Sequence, residues 1–189
     1  MSRRFVLVDR DGTINEEVDY VLDPDQLQLI PGSAAALREL RALGLGIVVV
    51  TNQSPVGRGW LSLEQLDRIH DRLSQLLDAE GAAVDAYYVC PHGPDDGCGC
   101  RKPATGLALR AAADYGFEPA EAFVVGDHKV DVEMGRRIGA RTFLVRTGHG
   151  EEELSKALPF ADHVVTDLAE AAVLIRGELH AVERTGAGR

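Results

Sequence analysis

The chain has 189 residues, of which 45% are hydrophobic and 26% charged. That is an ordinary globular composition, and the length suffices to bury about 70% of the unfolded surface without covalent staples. Its 30 acidic residues outnumber 20 basic ones, for a formal charge of −10, which argues against a protein that wraps nucleic acid but leaves room for a small phosphorylated ligand in a local positive pocket.

Met1-Ser2-Arg3-Arg4 leads straight into the apolar run Phe5–Val8, which has strand length. That run is too short for a signal-peptide core, and no stretch reaches the span of a membrane helix, so the chain reads as cytoplasmic with no membrane partner. Pro31-Gly32-Ser33 opens a helix that Ser33 can cap, with Leu37 and Leu40 on its apolar stripe and Gly44 at its end. Gly46–Val50 is the second strand. Ser62 and Gln65 form a capping box for a helix carrying Leu66, Ile69, Leu73, Leu76 and Leu77, closed by Gly81. Val84–Val89 is the third strand, and residues 90–103 are too rich in Gly, Pro and Cys for regular structure. A helix over Thr105–Tyr115 stops at Gly116. Strand Ala122–Val125, helix Val130–Ile138, strand Thr142–Val145 and strand His163–Val165 follow. Glu151-Glu152-Glu153 suits a helix start, and Asp167 with Glu170 begins the last helix. A single domain is expected over residues 1–182, with residues 183–189 a polar, flexible tail and no long apolar seam, so a monomer is the expectation.

Strands alternating with helices point to an α/β fold, a parallel sheet covered on both faces, whose ligands bind beyond the carboxyl ends of the strands. Polar groups fall at that place four times. Asp9-Arg10-Asp11-Gly12-Thr13 follows the first strand, Thr51-Asn52-Gln53-Ser54 the second, Cys90-Pro91-His92 the third and Gly126-Asp127-His128 the fourth. Asp9 and Asp11 can project into one small volume, and Asp127 would add a third carboxylate from another strand. Like charges so close are costly unless a cation lies between them. Hard oxygen donors with room for water suit Mg²⁺ and a substrate phosphate, and a carboxylate is also a competent nucleophile for phosphoryl transfer.

The loop after the third strand reads C-x-H-x5-C-x-C. Cys90, His92, Cys98 and Cys100 match a closed, tetrahedral structural zinc site, whereas an odd number of cysteines in eleven residues makes a poor disulfide framework. Arg101-Lys102 comes directly after the last ligand, so zinc would fix the position of both groups.

Taken in order, these motifs resemble the haloacid dehalogenase (HAD) superfamily of phosphohydrolases over roughly residues 5–131. Asp9-Arg10-Asp11-Gly12-Thr13 matches its D-x-D-G-T signature, Thr51-Asn52 its second motif, Lys102 its third-motif lysine, and Gly126-Asp127 with Asp131 its acidic fourth motif. The resemblance implies a Rossmann-like sheet in the order 3-2-1-4-5-6. It implies that Asp9 attacks phosphorus, that Asp11 acts as acid and then base while offering its backbone carbonyl to Mg²⁺, and that Thr51 and Lys102 hold the phosphoryl oxygens. Asp127 would ligate Mg²⁺ and Asp131 would support it from behind.

The zinc loop and the D-R-D-G-T start resemble two branches, one acting on heptose 1,7-bisphosphate and the other on histidinol phosphate, and the insert Asn15–Val21 with the Thr-Asn-Gln-Ser and Arg-Gly elements resembles the heptose branch. Pro55 stands where that branch has Gly. A bisphosphate needs a second cationic contact, for which Arg58 and Arg101 are candidates, and Asn52 is a further candidate substrate contact. The short connections leave room for only a minimal cap. A polynucleotide 3′-phosphatase or a non-catalytic zinc-stabilised module fits less well. His70 is expected on the surface, and Trp60 either packed beneath its loop, the favoured reading, or stacked on a sugar.

Overall fold

The structure, a computed structural model, describes residues 3–186, with side chains to residue 181. Six parallel strands form one sheet: β1 (Phe5–Val8), β2 (Gly46–Asn52), β3 (Ala86–Cys90), β4 (Phe123–Gly126), β5 (Arg141–Val145) and β6 (His163–Val165). Their spatial order is β3-β2-β1-β4-β5-β6, as expected from the motifs. Helices α1 (Ser33–Ala42), α2 (Ser54–Gly57), α3 (Leu63–Ala79), α4 (Gly106–Tyr115), α5 (Lys129–Arg137), α6 (Gly150–Ala157) and α7 (Leu168–Gly186) connect and cover the strands.

Successive strand residues point to opposite faces, and the β1 and β2 side chains sort accordingly. Val6, Val8, Ile47 and Val49 enter a core built with Leu37 and Leu40 of α1, Leu66, Ile69 and Leu73 of α3, and Ile175 of α7. Phe5, Leu7, Val48 and Val50 enter the other core, against Leu107, Ala108 and Ala111 of α4 and Met134 of α5. Both faces of the inner strands are therefore dry, which is why they read as continuous apolar runs rather than alternating ones. Leu73 is fully buried, and truncation to Ala at such a site costs about 2–5 kcal/mol.

The boundaries differ from the sequence reading where tertiary contacts overrule local signals. Ser33 does not cap α1. Gly32 occupies the cap position in the left-handed region (φ 88°), so Ser33 lies inside the first turn with its hydroxyl buried. β2 continues through Thr51 and Asn52 because its ladder with β3 carries on, pairing Thr51 with Val89 and Asn52 with Cys90. The capping box Ser62–Gln65 forms as expected, each side chain bonding the other's backbone N–H. α7 runs past Glu183 to Gly186, and residues 187–189 of the expected tail lie outside the described residues. Among the described residues, no helix is long and apolar enough to cross a membrane.

Candidate active site

In this strand order the chain reverses direction between β1 and β4, so the carboxyl ends of β1, β2 and β4 adjoin at the topological switch point. The Asp9 N–H donates to Val125 O at 2.9 Å, tying the loop after β1 to β4. A cavity of about 230 Å³ opens there, walled by Asp9, Asp11, Thr51, Lys102, Asp127 and Asp131, with Asn52 and Arg101 also on its lining.

Lys102 is the hub. Its side chain is 3% exposed. Its Nζ lies 2.6 Å from Asp9 Oδ1 and 2.6 Å from Asp131 Oδ1, and donates to Val50 O at 2.6 Å. Burial alone would pull the ammonium's pKa down, but Asp131 and Asp9 outweigh it and hold the group charged. Asp9, Asp127 and Asp131 can each bring a carboxylate oxygen within 4.8 Å of the others. Burial, with Asp131 and Asp11 adding to it against the pull of Lys102, raises the Asp9 carboxyl to about 6. Burial and the neighbouring Asp9 and Asp131 push Asp127 to about 9. Three carboxylates facing a single ammonium leave an excess of negative charge that a divalent cation would neutralise, and an all-oxygen donor set of this size suits Mg²⁺. Asp131 has both oxygens engaged, one on Lys102 and the other accepting the His128 N–H at 3.0 Å, which closes the N-terminal capping box of α5. His128 is thus a helix cap.

The carboxylate of Asp11 stands outside that trio. Arg10, fully buried, grips it through Nε to Oδ1 (3.0 Å) and Nη2 to Oδ2 (2.8 Å). Asn15 Nδ2 and Gln53 Nε2 each donate to it at 3.0 Å. Burial would raise this carboxyl, but Arg10 and the two amides prevail and hold it below its ordinary range. Gln53 Nε2 also donates to Thr51 Oγ1 at 2.8 Å, leaving the threonine hydroxyl proton free for another acceptor. Behind Arg10, its Nη1 meets His70 Nε2 at 3.3 Å, and the His70 ring stacks on Tyr87 with centroids 4.4 Å apart. An arginine can only donate, so Nε2 must be the unprotonated nitrogen. The expectation of a surface His70 is overturned: at position 70 it shares the buried face of α3 with Leu66, Ile69, Leu73 and Leu77.

The cysteine loop closes as its spacing suggests. Cys90 Sγ, His92 Nδ1, Cys98 Sγ and Cys100 Sγ are separated by 3.1 to 3.6 Å across the contacting pairs. Zn–S bonds of about 2.3 Å in a tetrahedron space the ligands by about 3.8 Å, so the donor set is nearly at zinc-binding geometry. Immediately downstream, Lys102 is bracketed by Asn52, whose Oδ1 accepts the Lys102 N–H at 3.0 Å while its Nδ2 donates to Lys102 O at 3.3 Å. Asn52 thus bonds both backbone groups of Lys102 and positions it, and it also lines the cavity.

Arg101 faces the cavity, its Nη1 donating to His92 O at 3.2 Å. Arg58 lies further out. It sits over the rings of Trp60 (5.0 Å) and Tyr20 (5.9 Å), and Tyr20 forms part of the cavity wall. Trp60 is not packed beneath its loop: it is half exposed and meets Tyr20 edge-on at 5.3 Å. The expected insert supplies the opposite wall with Glu17, Asp19, Tyr20 and Val21. Sequence reading missed Gln53, the Arg10–His70 pair and the turn Thr147-Gly148-His149 after β5. Position alone could have flagged that turn, since it too follows the carboxyl end of a strand.

The HAD-hydrolase-like family profile matches residues 99–171. The chain is 39% identical over 173 residues to the D-glycero-beta-D-manno-heptose-1,7-bisphosphate 7-phosphatase of Pseudomonas aeruginosa, a match covering 91% of this chain and 97% of that one. It is 37% identical over 185 residues to the D-glycero-D-manno-heptose-1,7-bisphosphate 7-phosphatase of Thermosynechococcus vestitus, covering 90% and 94%. Among solved structures, that of the D,D-heptose 1,7-bisphosphate phosphatase from Bordetella bronchiseptica, complexed with magnesium and phosphate, superposes with a TM-score of 0.87 at 37% identity, over 93% of this chain and 99% of that one.

Proposed function

The chain belongs to the HAD-like phosphatase family and is a phosphoric monoester hydrolase, and on that premise we propose that it removes the 7-phosphate of D-glycero-D-manno-heptose 1,7-bisphosphate through an aspartyl-phosphate on Asp9. One observation carries the mechanism: Asp9, at the tip of β1, shares a small buried volume with Asp127 and Asp131 beneath the ammonium of Lys102. The names of the relatives support the choice of substrate.

Magnesium, held by Asp9, Asp127 and the Asp11 carbonyl with Asp131 behind, would supply positive charge against the transferring phosphoryl group. The chain's own groups do the rest. A carboxylate oxygen of Asp9 forms a bond to phosphorus as the bond from phosphorus to the sugar oxygen breaks. Asp11, which takes up a proton from solvent as the negative charge of the substrate phosphate arrives beside it, gives that proton to the departing oxygen. In the second half-reaction Asp11 takes a proton from water, the water oxygen bonds to phosphorus, and the Asp9–phosphorus bond breaks to release phosphate. The Arg10 grip that holds Asp11 ionised favours the base half of this cycle, and the incoming phosphate dianion works against it to favour the acid half. Thr51 offers its hydroxyl proton to the phosphoryl oxygens, and Lys102, whose three donors are engaged on Asp9, Asp131 and Val50, reaches them by exchanging its bond to Asp9 Oδ1 as that carboxylate turns to phosphorus. Uncatalysed monoester hydrolysis is extremely slow, so this fixed array of charges supplies much of the rate.

The distal phosphate falls to Arg101, which lines the cavity, with Arg58 at the rim on its aromatic support. The Cys90–His92–Cys98–Cys100 set would hold a structural zinc that orders the segment carrying Arg101 and Lys102.

Phosphate release from a panel of phosphorylated metabolites, with Mg²⁺ present, tests the reading. Heptose 1,7-bisphosphate should lead the panel, and Asp9→Asn should abolish turnover while the protein stays folded. A tenfold preference for histidinol phosphate, or comparable hydrolysis of a 3′-phosphorylated oligonucleotide, would overturn the substrate assignment. Full activity in the Asp9→Asn variant would overturn the mechanism.

A further inference from the structure

The loops after β1 and β5 meet around Asp127, although the two strands flank β4 on opposite sides. Thr147 Oγ1 donates to Gly12 O at 2.6 Å, joining the two loops directly. The His149 N–H donates to Asp127 Oδ2 at 2.8 Å. Two glycines complete the enclosure. Gly12 (φ +73°) and Gly148 (φ +55°) both sit in the left-handed region, and a Cβ on either would come within 2.2 Å of Asp127 Oδ2. On Gly148 that Cβ would also lie 2.5 Å from the Gly12 Cα. Backbone therefore presses on one carboxylate oxygen from two directions while an N–H bonds it. With Oδ2 committed to the turn, Oδ1 is the oxygen left for the carboxylate cluster.

We propose that Thr147-Gly148-His149 is a positioning element for Asp127, and that this turn sets the affinity of the site for magnesium. The inference rests on the reading of Asp127 as a magnesium ligand. A small cation that demands near-ideal octahedral geometry discriminates sharply against a misplaced oxygen, and residues that orient a metal ligand without touching the metal are typically worth 10- to 100-fold in affinity. Thr147 holds the turn against the loop that carries Asp9 and Asp11, and Gly148 permits the close approach. A shift of the turn would move the Asp127 oxygens relative to Asp9, leaving the β-sheet beneath unchanged.

The test is titration of the full chain with Mg²⁺ by calorimetry, after dialysis into magnesium-free buffer without chelator so that any zinc is retained. Competition with Mn²⁺, followed by electron paramagnetic resonance, gives a second readout independent of turnover. Thr147→Val should weaken Mg²⁺ binding about tenfold or more. Thr147→Ser, which keeps the donor, should restore it to within about threefold of wild type. Gly148→Ala should weaken it at least as much as Thr147→Val, and if that variant fails to fold, the Val and Ser pair decides alone. Asp127→Asn separates the two levels of the argument. Should it bind Mg²⁺ like wild type, the reading of the site itself fails. Should it lose binding while Thr147→Val and any folded Gly148→Ala retain wild-type affinity, the site stands and the positioning role of the turn is refuted.

Discussion

Replacing Lys102 by Met isolates the charge at the centre of the site, because the two side chains are similar in length and volume and little cavity is created. The ammonium touches three oxygens, on Asp9, Asp131 and Val50, each at 2.6 Å, and is almost wholly buried. Removing one partner of such a network leaves uncompensated buried charge, which costs about 3–5 kcal/mol. For a chain of this length that corresponds to a fall in Tm of about 6–20 °C. Protonation of the carboxylates relieves part of this cost, and therein lies the functional consequence. The Asp9 carboxyl stands at about 6 with Lys102 in place; without it the carboxyl moves further up, and each unit beyond the assay pH removes about a factor of ten of ionised nucleophile. Loss of the ammonium's contact with the phosphoryl oxygens adds about 10²–10³ in kcat. Steady-state phosphate release and thermal unfolding, measured on the same Lys102→Met preparation, read both effects. Turnover within tenfold of wild type would refute the central role of Lys102, and an unchanged melting curve would refute the energetic account of its burial.

Cys98→Ser should lose zinc by elemental analysis and lower both Tm and turnover, because zinc binding contributes directly to folding; intact stability in a zinc-free variant would contradict a structural metal. His70 is pushed down to about 3, chiefly by burial and then by Arg10. Its folded-state value lies below the unfolded one, so its contribution is complete above pH 6.5 and is lost as pH falls, by about 1.4 kcal/mol per unit and about 2.7 kcal/mol by pH 4.5. Urea unfolding of wild type and His70→Gln between pH 4.5 and 7 should show that slope only in wild type, and parallel curves would contradict it. The raised Asp9 and Asp127 carboxyls have the opposite sign: without magnesium, their contribution is complete below about pH 4 and is lost as pH rises through about 6 and 9. Mg²⁺ should therefore raise Tm more at pH 8 than at pH 6, and an equal shift at both would count against cation binding by this cluster.

The strands were legible because parallel strands buried on both faces need short unbroken apolar runs, as in Phe5–Val8 and Ile47–Val50. The site was legible wherever one residue's chemistry sufficed. Asp9, Asp127 and the cysteine loop each place metal-ligating groups at or directly beyond the end of a strand, whereas Lys102 was readable only through the resemblance of Arg101-Lys102-Pro103 to a family motif. What stayed hidden was relational. Gln53 matters because its amide spans Thr51 and Asp11, and nothing in the string distinguishes it from a loop glutamine. Gly148 reads as an ordinary turn residue until Asp127 is placed against it. For His70 the signal was present, since it falls on the apolar stripe of α3, but a polar residue there can be explained only once the buried Arg10 is seen to need an acceptor. Asn52 shows the converse: its place after β2 could be read from the sequence, while its bonds to the lysine backbone could not.

The route by which Lys102 reaches Asp9 explains why so much of the chain is devoted to one loop. Lys102 belongs to the connection leaving β3, at one edge of the sheet, whereas Asp9 follows β1, two strands away. Two strand spacings amount to about 9.6 Å, and the side chain crosses them by passing over β2, where Val50 O accepts one of its hydrogen bonds. The intervening segment, residues 91–101, has no fully buried apolar side chain, and only Cys98 and Cys100 pack against the core. Ordering each of its residues costs about 1–2 kcal/mol of backbone entropy, with little apolar burial to offset it. On the proposed reading, zinc at Cys90, His92, Cys98 and Cys100 would stand in for the missing core, while the Asn52 bracket fixes the Lys102 peptide unit. On the proposed mechanism the ammonium stands in the site before substrate arrives and exchanges only its bond to Asp9, which limits the reorganisation left for the transition state, where phosphoryl transfer is most sensitive to misplaced charge.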